Sequence, residues 1–182
     1  YILSTMDNDK KNFNEVLSSA KSLGYAEANP ISDINGADVA AKLKILSSLC
    51  FNSFLNNNIH IEGIKPIDKI DIDNANKLGY KIKLLGISEL INKKVYQRVH
   101  PTFIKKSSYI ASIDGVLNAV IVDGKPVGQS LIQGEGAGPE ATTSALISDI
   151  SSILRGNIKF PFSINSKERK KLNYRNINER FC

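Results

Sequence analysis

The sequence predicts a fold of the α+β type, in which helices and paired strands share one chain. Apolar residues recur at helical spacing between Asn12 and Leu23 and again between Glu140 and Leu154. Between these segments, Tyr80–Ile87 and Lys94–Ile104 alternate largely as half-buried strands do. With 182 residues, of which 42% are hydrophobic and 23% charged, the chain is long enough for one domain with a sizeable core.

Four segments carry the signals of helices. The first has Asn12 as its candidate N-cap, Glu15 three residues later as in a capping box, and Gly24 as a stop. The second is predicted to run from the residues after Gly36 to Phe54. Its apolar stripe comprises Val39, Leu43, Ile45, Leu46, Leu49 and Cys50, which places Cys50 in the expected core. The other two helices are predicted over Asp71–Leu78 and Glu140–Leu154, the latter with Ala145, Leu146, Ile150 and Ile153 on its apolar face.

The predicted strands form two hairpins and one short extended segment. Tyr80–Ile87 and Lys94–Ile104 are expected to pair through a connection over residues 88–93. A second pair, residues 118–122 and 126–132, surrounds the turn signal Asp123-Gly124. Residues 60–64 are read as a short strand, since Pro66 argues against a helix there.

Composition and charge argue against several classes of protein. No apolar run of about 18 residues is present, so no transmembrane helix is predicted. Much of the net charge of +6 lies in residues 167–180, and the abundance of Asn, Lys and Ile indicates compositional bias rather than a nucleic-acid footprint. His60 and His100 stand far apart, without the spacing of metal ligands. The two cysteines suggest no disulfide framework, which makes the cytoplasm the default compartment.

The candidate site is an acid-rich segment that leads into the second helix. It contains Glu27, Asp33, Asp38 and Lys42, and the last two stand four residues apart, hence on one helix face. On pattern alone, this pair is more often a solvated ion pair that contributes about 0.2–0.5 kcal/mol. The alternative is a lysine held by carboxylates at the mouth of a cleft, where it could deliver or remove a proton.

A glycine-rich turn precedes the last predicted helix. Residues 133–139 read QGEGAGP, and free N–H groups at a helix N-terminus can cradle a phosphate or carboxylate. The spacing differs from the GxGxxG of dinucleotide-binding folds. Close backbone packing, or an approach to a ligand held by another domain, is therefore at least as well supported.

Several of these motifs together resemble homoserine dehydrogenases. The stretch GYAEANPISDINGADVAAKLKIL, which starts at Gly24, is similar to the signature of that family. Further similarity covers EGI at residues 62–64, LGYKIKLLG at 78–86, GVLNAV at 115–120 and GEGAGPEATTSALISDI at 134–150. The family interconverts aspartate 4-semialdehyde and homoserine with NAD(P)(H), on the pathway to threonine, methionine and isoleucine. Asn29, where the family usually has Asp, and Ser108-Tyr109 depart from its pattern.

The resemblance implies a catalytic domain with a mixed sheet layered with helices, paired with a second subunit. We expect residues 1–156 to form this catalytic and dimerisation domain and residues 157–182 to be a basic tail or linker toward a regulatory domain. The abrupt start Tyr1-Ile2-Leu3 suggests a fragment. NADP or NAD would then be bound mainly by a domain absent from this chain, and the fragment would be inactive alone. Isolated from that domain, the chain could serve only as a dimerisation module.

The same resemblance assigns roles to individual residues. Lys42 matches the acid–base lysine, and Asp33 matches an acidic position that orients the lysine or the substrate. Glu27 and Asp38 match positions that hold homoserine. Gly24 and Gly138 match glycines whose backbones approach the nicotinamide cofactor. The family's monovalent-cation site would lie mostly upstream, outside this chain, so no metal ligand is assigned here. The implied partners are homoserine or aspartate semialdehyde and a second copy of the chain, with no nucleic acid and no membrane.

Overall fold

A computed structural model describes residues 1–27, 29–52, 59–136 and 138–156. In chain order its elements are α1 (Ile2–Asp9), α2 (Phe13–Ser22), α3 (Ile31–Ile34), α4 (Ala37–Cys50), β1 (His60–Ile61), α5 (Lys69–Lys77), β2 (Tyr80–Ile91), β3 (Lys94–Lys105), a 3-10 helix (Tyr109–Ser112), β4 (Leu117–Gly124), β5 (Gly128–Glu135) and α6 (Pro139–Leu154). Four helices come first along the chain and two pairs of consecutive strands follow, so the predicted α+β class is confirmed. No described helix is both long and apolar enough to cross a bilayer.

The described residues form two compact units built from discontinuous segments. The first contains Tyr1–Asn29, Ile67–Lys83 and the described residues from Phe103 onward. The second contains Pro30–Pro66 and Leu84–Thr102, apart from residues 53–58.

The core of the first unit lies where α1 meets α2 and α5. Apolar side chains from these three helices are almost fully buried: Met6, Val16, Ala20, Ile72 and Ala75. Two helices start where the sequence supplies reciprocal caps. Asn12 N donates to Glu15 Oε2 at 3.3 Å before α2, and the pair Asp68 and Asp71 exchanges two such bonds before α5.

The first unit also contains a two-stranded antiparallel sheet. Eight residue pairs join β4 to β5, from Leu117 opposite Glu135 to Gly124 opposite Gly128. Every residue of β5 is exposed, and so are Leu146, Ile147, Ile150 and Ile153 of α6. The predicted apolar face of α6 is therefore not covered by the described residues.

In the second unit, α4 packs on a three-stranded sheet of order β1-β3-β2. β1 is parallel to β3, with His60 opposite Arg98, while a two-residue turn makes β2 and β3 an antiparallel hairpin. The core is formed by Ala40, Leu43 and Val99, with Val39, Ile59 and Leu84 packed around them. This arrangement fixes the helix that carries Asp38 and Lys42.

Several predicted boundaries were wrong. α4 ends at Cys50 rather than at Phe54, and Cys50 is exposed rather than in the core. β2 continues to Ile91, so the hairpin connection is Asn92-Lys93 instead of residues 88–93. β1 spans only two residues. The predicted loop at 56–58 and the basic tail at 157–182 lie outside the described residues.

Candidate functional site

The acid-rich segment folds into a one-turn helix, a tight connection and a longer helix. Ile34 N donates to Pro30 O at 3.0 Å, which closes the single turn of α3. Asn35 then ends α3, and Gly36 adopts φ 85°, a left-handed conformation in which a Cβ is costly. The side-chain oxygen of Asn35 accepts from Ala37 N at 2.9 Å, which satisfies one of the free donors at the start of α4.

Asp38 and Lys42 form an ion pair on α4. Lys42 Nζ lies 2.7 Å from Asp38 Oδ2, and the two side chains are 61% and 44% exposed. A pair so open to solvent contributes only about 0.3–0.5 kcal/mol to the stability of the helix. The ammonium group has three N–H donors, of which Asp38 engages one. The arrangement can therefore present a charged hydrogen-bond donor, held by a carboxylate, to an oxygen atom brought to this face.

The other predicted acids are distributed between the two units. Asp33 lies on α3 in the second unit, half-buried, one short connection before Asp38 and Lys42. Glu27 belongs to the first unit, where it is exposed and outside any helix or strand. The structure thus brings Asp38 and Lys42 into contact and keeps Asp33 on the adjoining helix of the same unit.

Gly24 and Gly138, the predicted cofactor contacts, both lie in the first unit. Gly138 precedes α6 with φ 109°, which glycine adopts without strain. A Cβ built on Gly24 or on Gly138 would meet no atom of the described residues within 4 Å. At Gly136 of the same turn, the Asn118 side-chain amide fills the space that a Cβ would need. Close packing therefore accounts for Gly136, as one of the two interpretations of the turn anticipated.

The structure also shows contacts that the sequence analysis missed. Arg98 is buried on β3, where it donates to Glu89 Oε2 at 2.9 Å and stacks over the Tyr96 ring at 4.9 Å. Gly63 lies against the backbone of the α3–α4 connection. No short-range spacing signals the Arg98–Glu89 and Gly63 contacts, because they join residues nine or more positions apart.

The histidines and carboxylates were the candidate metal ligands in the described part of the chain. No group of three or more His, Cys, Asp and Glu side chains there could hold a metal ion. His60 Nε2 lies 2.8 Å from Glu62 Oε1, and His100 accepts a hydrogen bond from Arg98 Nε at 3.2 Å.

Comparison with known proteins gives one consistent result. The family model for homoserine dehydrogenase matches residues 1–151. The chain is 45% identical to the homoserine dehydrogenase of Neisseria gonorrhoeae over 156 residues, which are 85% of this chain and 36% of that protein. Against the homoserine dehydrogenase of Helicobacter pylori it is 46% identical over 156 residues, again 85% of this chain and 37% of the relative.

Solved structures lead to the same family. The crystal structure of a homoserine dehydrogenase from Thiobacillus denitrificans superposes with a TM-score of 0.88 at 38% identity, covering 94% of this chain and 42% of that one. The S. aureus homoserine dehydrogenase at pH 6.5 gives a TM-score of 0.80 at 39% identity, with 91% and 42% covered. The chain thus spans well under half the length of these relatives. Because the family model matches most of its residues, the chain belongs to the homoserine dehydrogenase family.

Proposed function

We propose that this chain is the catalytic part of an enzyme that interconverts L-homoserine and L-aspartate 4-semialdehyde with NAD(P)(H). Two observations support the proposal: membership of the family and the Asp38–Lys42 pair, whose polar atoms lie 2.7 Å apart on the signature helix. The proposal includes a cytoplasmic location and a place in threonine, methionine and isoleucine biosynthesis.

Lys42 is the proposed proton donor and acceptor. Reduction of the aldehyde leaves negative charge on its oxygen, which the Lys42 ammonium stabilises by a charge-assisted hydrogen bond before it gives up a proton. In the oxidation direction the neutral amine takes the proton of the homoserine hydroxyl group. Asp38 keeps the lysine side chain at one place on α4, since its carboxylate is already bonded to Nζ.

The remaining acids are proposed to bind the amino-acid end of the substrate. Glu27 and Asp38 offer carboxylate oxygens to the substrate ammonium, and Asp33 orients Lys42 or the substrate. Glu27 is exposed, so it loses no intramolecular packing when it engages a ligand.

The nicotinamide nucleotide is proposed to be held mainly by a domain outside these 182 residues. The nicotinamide ring would border Gly24 and Gly138, where a Cβ would meet no atom of the described residues within 4 Å. When bound, the nucleotide supplies or accepts the hydride of the reaction. This chain contributes the proton and the substrate contacts.

The proposal is tested by Lys42→Ala in the full-length enzyme, assayed by NADPH-dependent reduction of aspartate semialdehyde. Loss of the proton donor should lower kcat by about 10²–10⁴-fold. Lys44→Ala is the matched control, because Lys44 lies on the same helix two positions away and so on another face. Near-normal turnover of the Lys42 variant would reject the assigned role.

A second proposal concerns assembly and does not require catalysis. We infer that the chain pairs with a second copy through its sheet, and that without a nucleotide-binding domain it acts only as a dimerisation module. The full exposure of β5 favours this inference, because an isolated two-stranded sheet is marginal in water.

A further inference from the structure

The connection between α3 and α4 is clamped by the segment that follows β1. Ile64 N donates to Ile34 O at 2.8 Å, and Glu62 N donates to Val99 O at 2.8 Å. Residues 62–64 therefore bond on one side to the end of α3 and on the other to β3. All of these atoms belong to the second unit, as do Asp33, Asp38 and Lys42.

Between those two hydrogen bonds, Gly63 lies directly on the backbone of Ile34 and Asn35. A Cβ built on Gly63 would overlap the Ile34 carbonyl oxygen and would lie 2.6 Å from Asn35 Cα and 3.0 Å from Asn35 C. These are backbone atoms, which cannot rotate away as a side chain would. Since ordinary contact begins at 3.4 Å, any side chain at this position must push the two segments apart by about 1 Å.

Gly36, at the other end of the connection, packs against the same segment and against β3. A Cβ on Gly36 would lie 3.0 Å from Ile61 Cγ2 and 3.1 Å from Val99 Cγ1. Gly36 is buried, and Asn35 is tied to Ala37 through its side chain. The connection therefore touches residues 61–63 along its whole length, and a side chain at residue 63 must separate that segment from α3 and the start of α4.

We propose that Gly63 is a positioning residue, whose close contact sets where Asp33 and the Asp38–Lys42 pair stand with respect to the substrate. This inference rests on the proposed function. The pair itself spans one helical turn, so it survives a movement of α4 as a body. What changes is the distance from Lys42 to the reacting oxygen, and a misplacement of about 1 Å can cost about 100-fold in rate.

The test is Gly63→Ala in the full-length enzyme. The concentration of folded enzyme is measured by circular dichroism and used to calculate kcat. We expect kcat for aspartate semialdehyde reduction to fall by about 10–100-fold, while KM for NADPH stays unchanged because the nucleotide is proposed to bind elsewhere. Gly124→Ala is the control: a Cβ there meets nothing within 4 Å and φ is not positive, so kcat should stay within about twofold. A folded Gly63→Ala enzyme with the kcat of the parent overturns the proposal.

If Gly63→Ala does not fold, two substitutions of Asn35 test the position of the same connection without a backbone overlap. Asn35→Ala removes the acceptor of Ala37 N, whereas Asn35→Ser keeps a hydroxyl oxygen that can cap the helix. We expect the alanine variant to lower kcat by about 10-fold at constant KM for NADPH, and the serine variant to recover most of it. Equal kcat values for the two variants contradict the positioning role.

Lys42→Ala, assayed beside these variants, separates the two proposals. Full activity of Lys42→Ala rejects the proposed function itself. A disabled Lys42→Ala together with an active, folded Gly63→Ala rejects only the positioning role.

Discussion

At the scale of single residues, Asp114 holds together two lysines of β2. Lys81 Nζ lies 2.7 Å from Asp114 Oδ2, and Lys83 Nζ contacts Asp114 Oδ1 and the Ile113 carbonyl oxygen. Burial pushes the pKa of the Asp114 carboxyl upward, but the hydrogen bonds and charges of Lys81 and Lys83 outweigh burial and leave this pKa below its ordinary value. The carboxylate therefore anchors the segment that leads into β4.

This lowered pKa makes the stability of the chain depend on pH. A folded-state pKa below the unfolded one stabilises the protein above about pH 4, where the unfolded carboxyl is ionised, and the gain is lost as pH falls through the folded pKa. Asp114→Asn should destabilise the chain by about 1–3 kcal/mol at pH 7, because Lys81 and Lys83 both lose their carboxylate partner. The difference from the parent should shrink below about pH 4.

Urea unfolding at several pH values between about 2.5 and 7 measures this difference. Asp9→Asn is the control, because both side chains of the Lys11–Asp9 pair are about half exposed. Its loss should change the free energy of unfolding by less than about 0.5 kcal/mol. Parallel pH curves for the parent and Asp114→Asn would contradict the assignment.

The sequence predicts contacts only between residues close in the chain, within one turn of a helix or one reverse turn. Spacing of four placed Asp38 and Lys42 side by side, and the structure has them 2.7 Å apart. The contact of Gly63 with Ile34 and the bridge from Lys83 to Asp114 join residues about thirty positions apart. Their geometry depends on how the segments pack, which no local pattern encodes.

At the scale of elements, α4 shows where an apolar stripe misleads. Of the predicted stripe, Leu46 and Leu49 are exposed, while Ser47 and Ser48 are buried. Ser47 Oγ, Ser88 Oγ and Gln97 Nε2 are buried without a hydrogen-bond partner among the described residues. The two-residue hairpin turn sets Ser88 opposite Gln97. The helix and the hairpin thus each bury polar groups, which hydrophobic periodicity does not reveal.

The buried hydroxyl group of Ser47 yields a prediction for the stability of the chain. A buried hydroxyl group without a partner costs about 1–3 kcal/mol, so Ser47→Ala should leave the free energy of unfolding unchanged or raise it by up to about 1 kcal/mol. Thermal unfolding measures the change, and about 1 kcal/mol corresponds to about 2–4 °C at this chain length.

Ser48→Ala is the matched control for Ser47→Ala. Ser48 is buried on the same helix and has an interaction partner, so its replacement should lower stability by about 1 kcal/mol. If Ser47→Ala is the more destabilising of the two, Ser47 is hydrogen-bonded in solution. Its assignment as a buried hydroxyl group without a partner is then wrong.

Elements with local start and stop signals were predictable, and those without them were not. The capping box at Asn12 and Glu15 located α2, and Gly79 with φ 83° follows α5 as expected. The hairpin turn Asn92-Lys93 has φ values of 50° and 63°, a turn usually marked by Asn-Gly. Because Lys93 occupies a position that favours glycine, the sequence carries no hairpin signal there. The end of β2 was therefore predicted at Ile87 instead of Ile91.

At the scale of the whole chain, the described residues divide into units that do not follow the order of the sequence. The first unit contains the segments on both sides of the second, and β2 and β3 continue from one unit into the other. The prediction of a single domain over residues 1–156 came from composition and the family resemblance. Such interleaving leaves no linker, no charge run and no glycine-rich boundary in the sequence.

The exposed apolar surface of the first unit provides the last prediction, which concerns self-association. Ile132 of β5 is 66% exposed and Ile150 of α6 is 56% exposed. Pairing through the sheet would bury Ile132, and stable interfaces bury about 1,200–2,000 Å² in total. We expect sedimentation of the chain at about 100 µM to show a dimer, and Ile132→Glu to shift it toward monomer, because a carboxylate would be desolvated in the interface.

Two further variants make this prediction specific. Ile70→Glu is the matched control, since Ile70 on α5 is 67% exposed and lies on neither of these surfaces, so the variant should remain dimeric. Ile150→Glu tests α6 as the competing contact. A folded monomer for the parent chain at this concentration rules out pairing, and dissociation by Ile150→Glu but not by Ile132→Glu assigns the interface to the helix instead of the sheet.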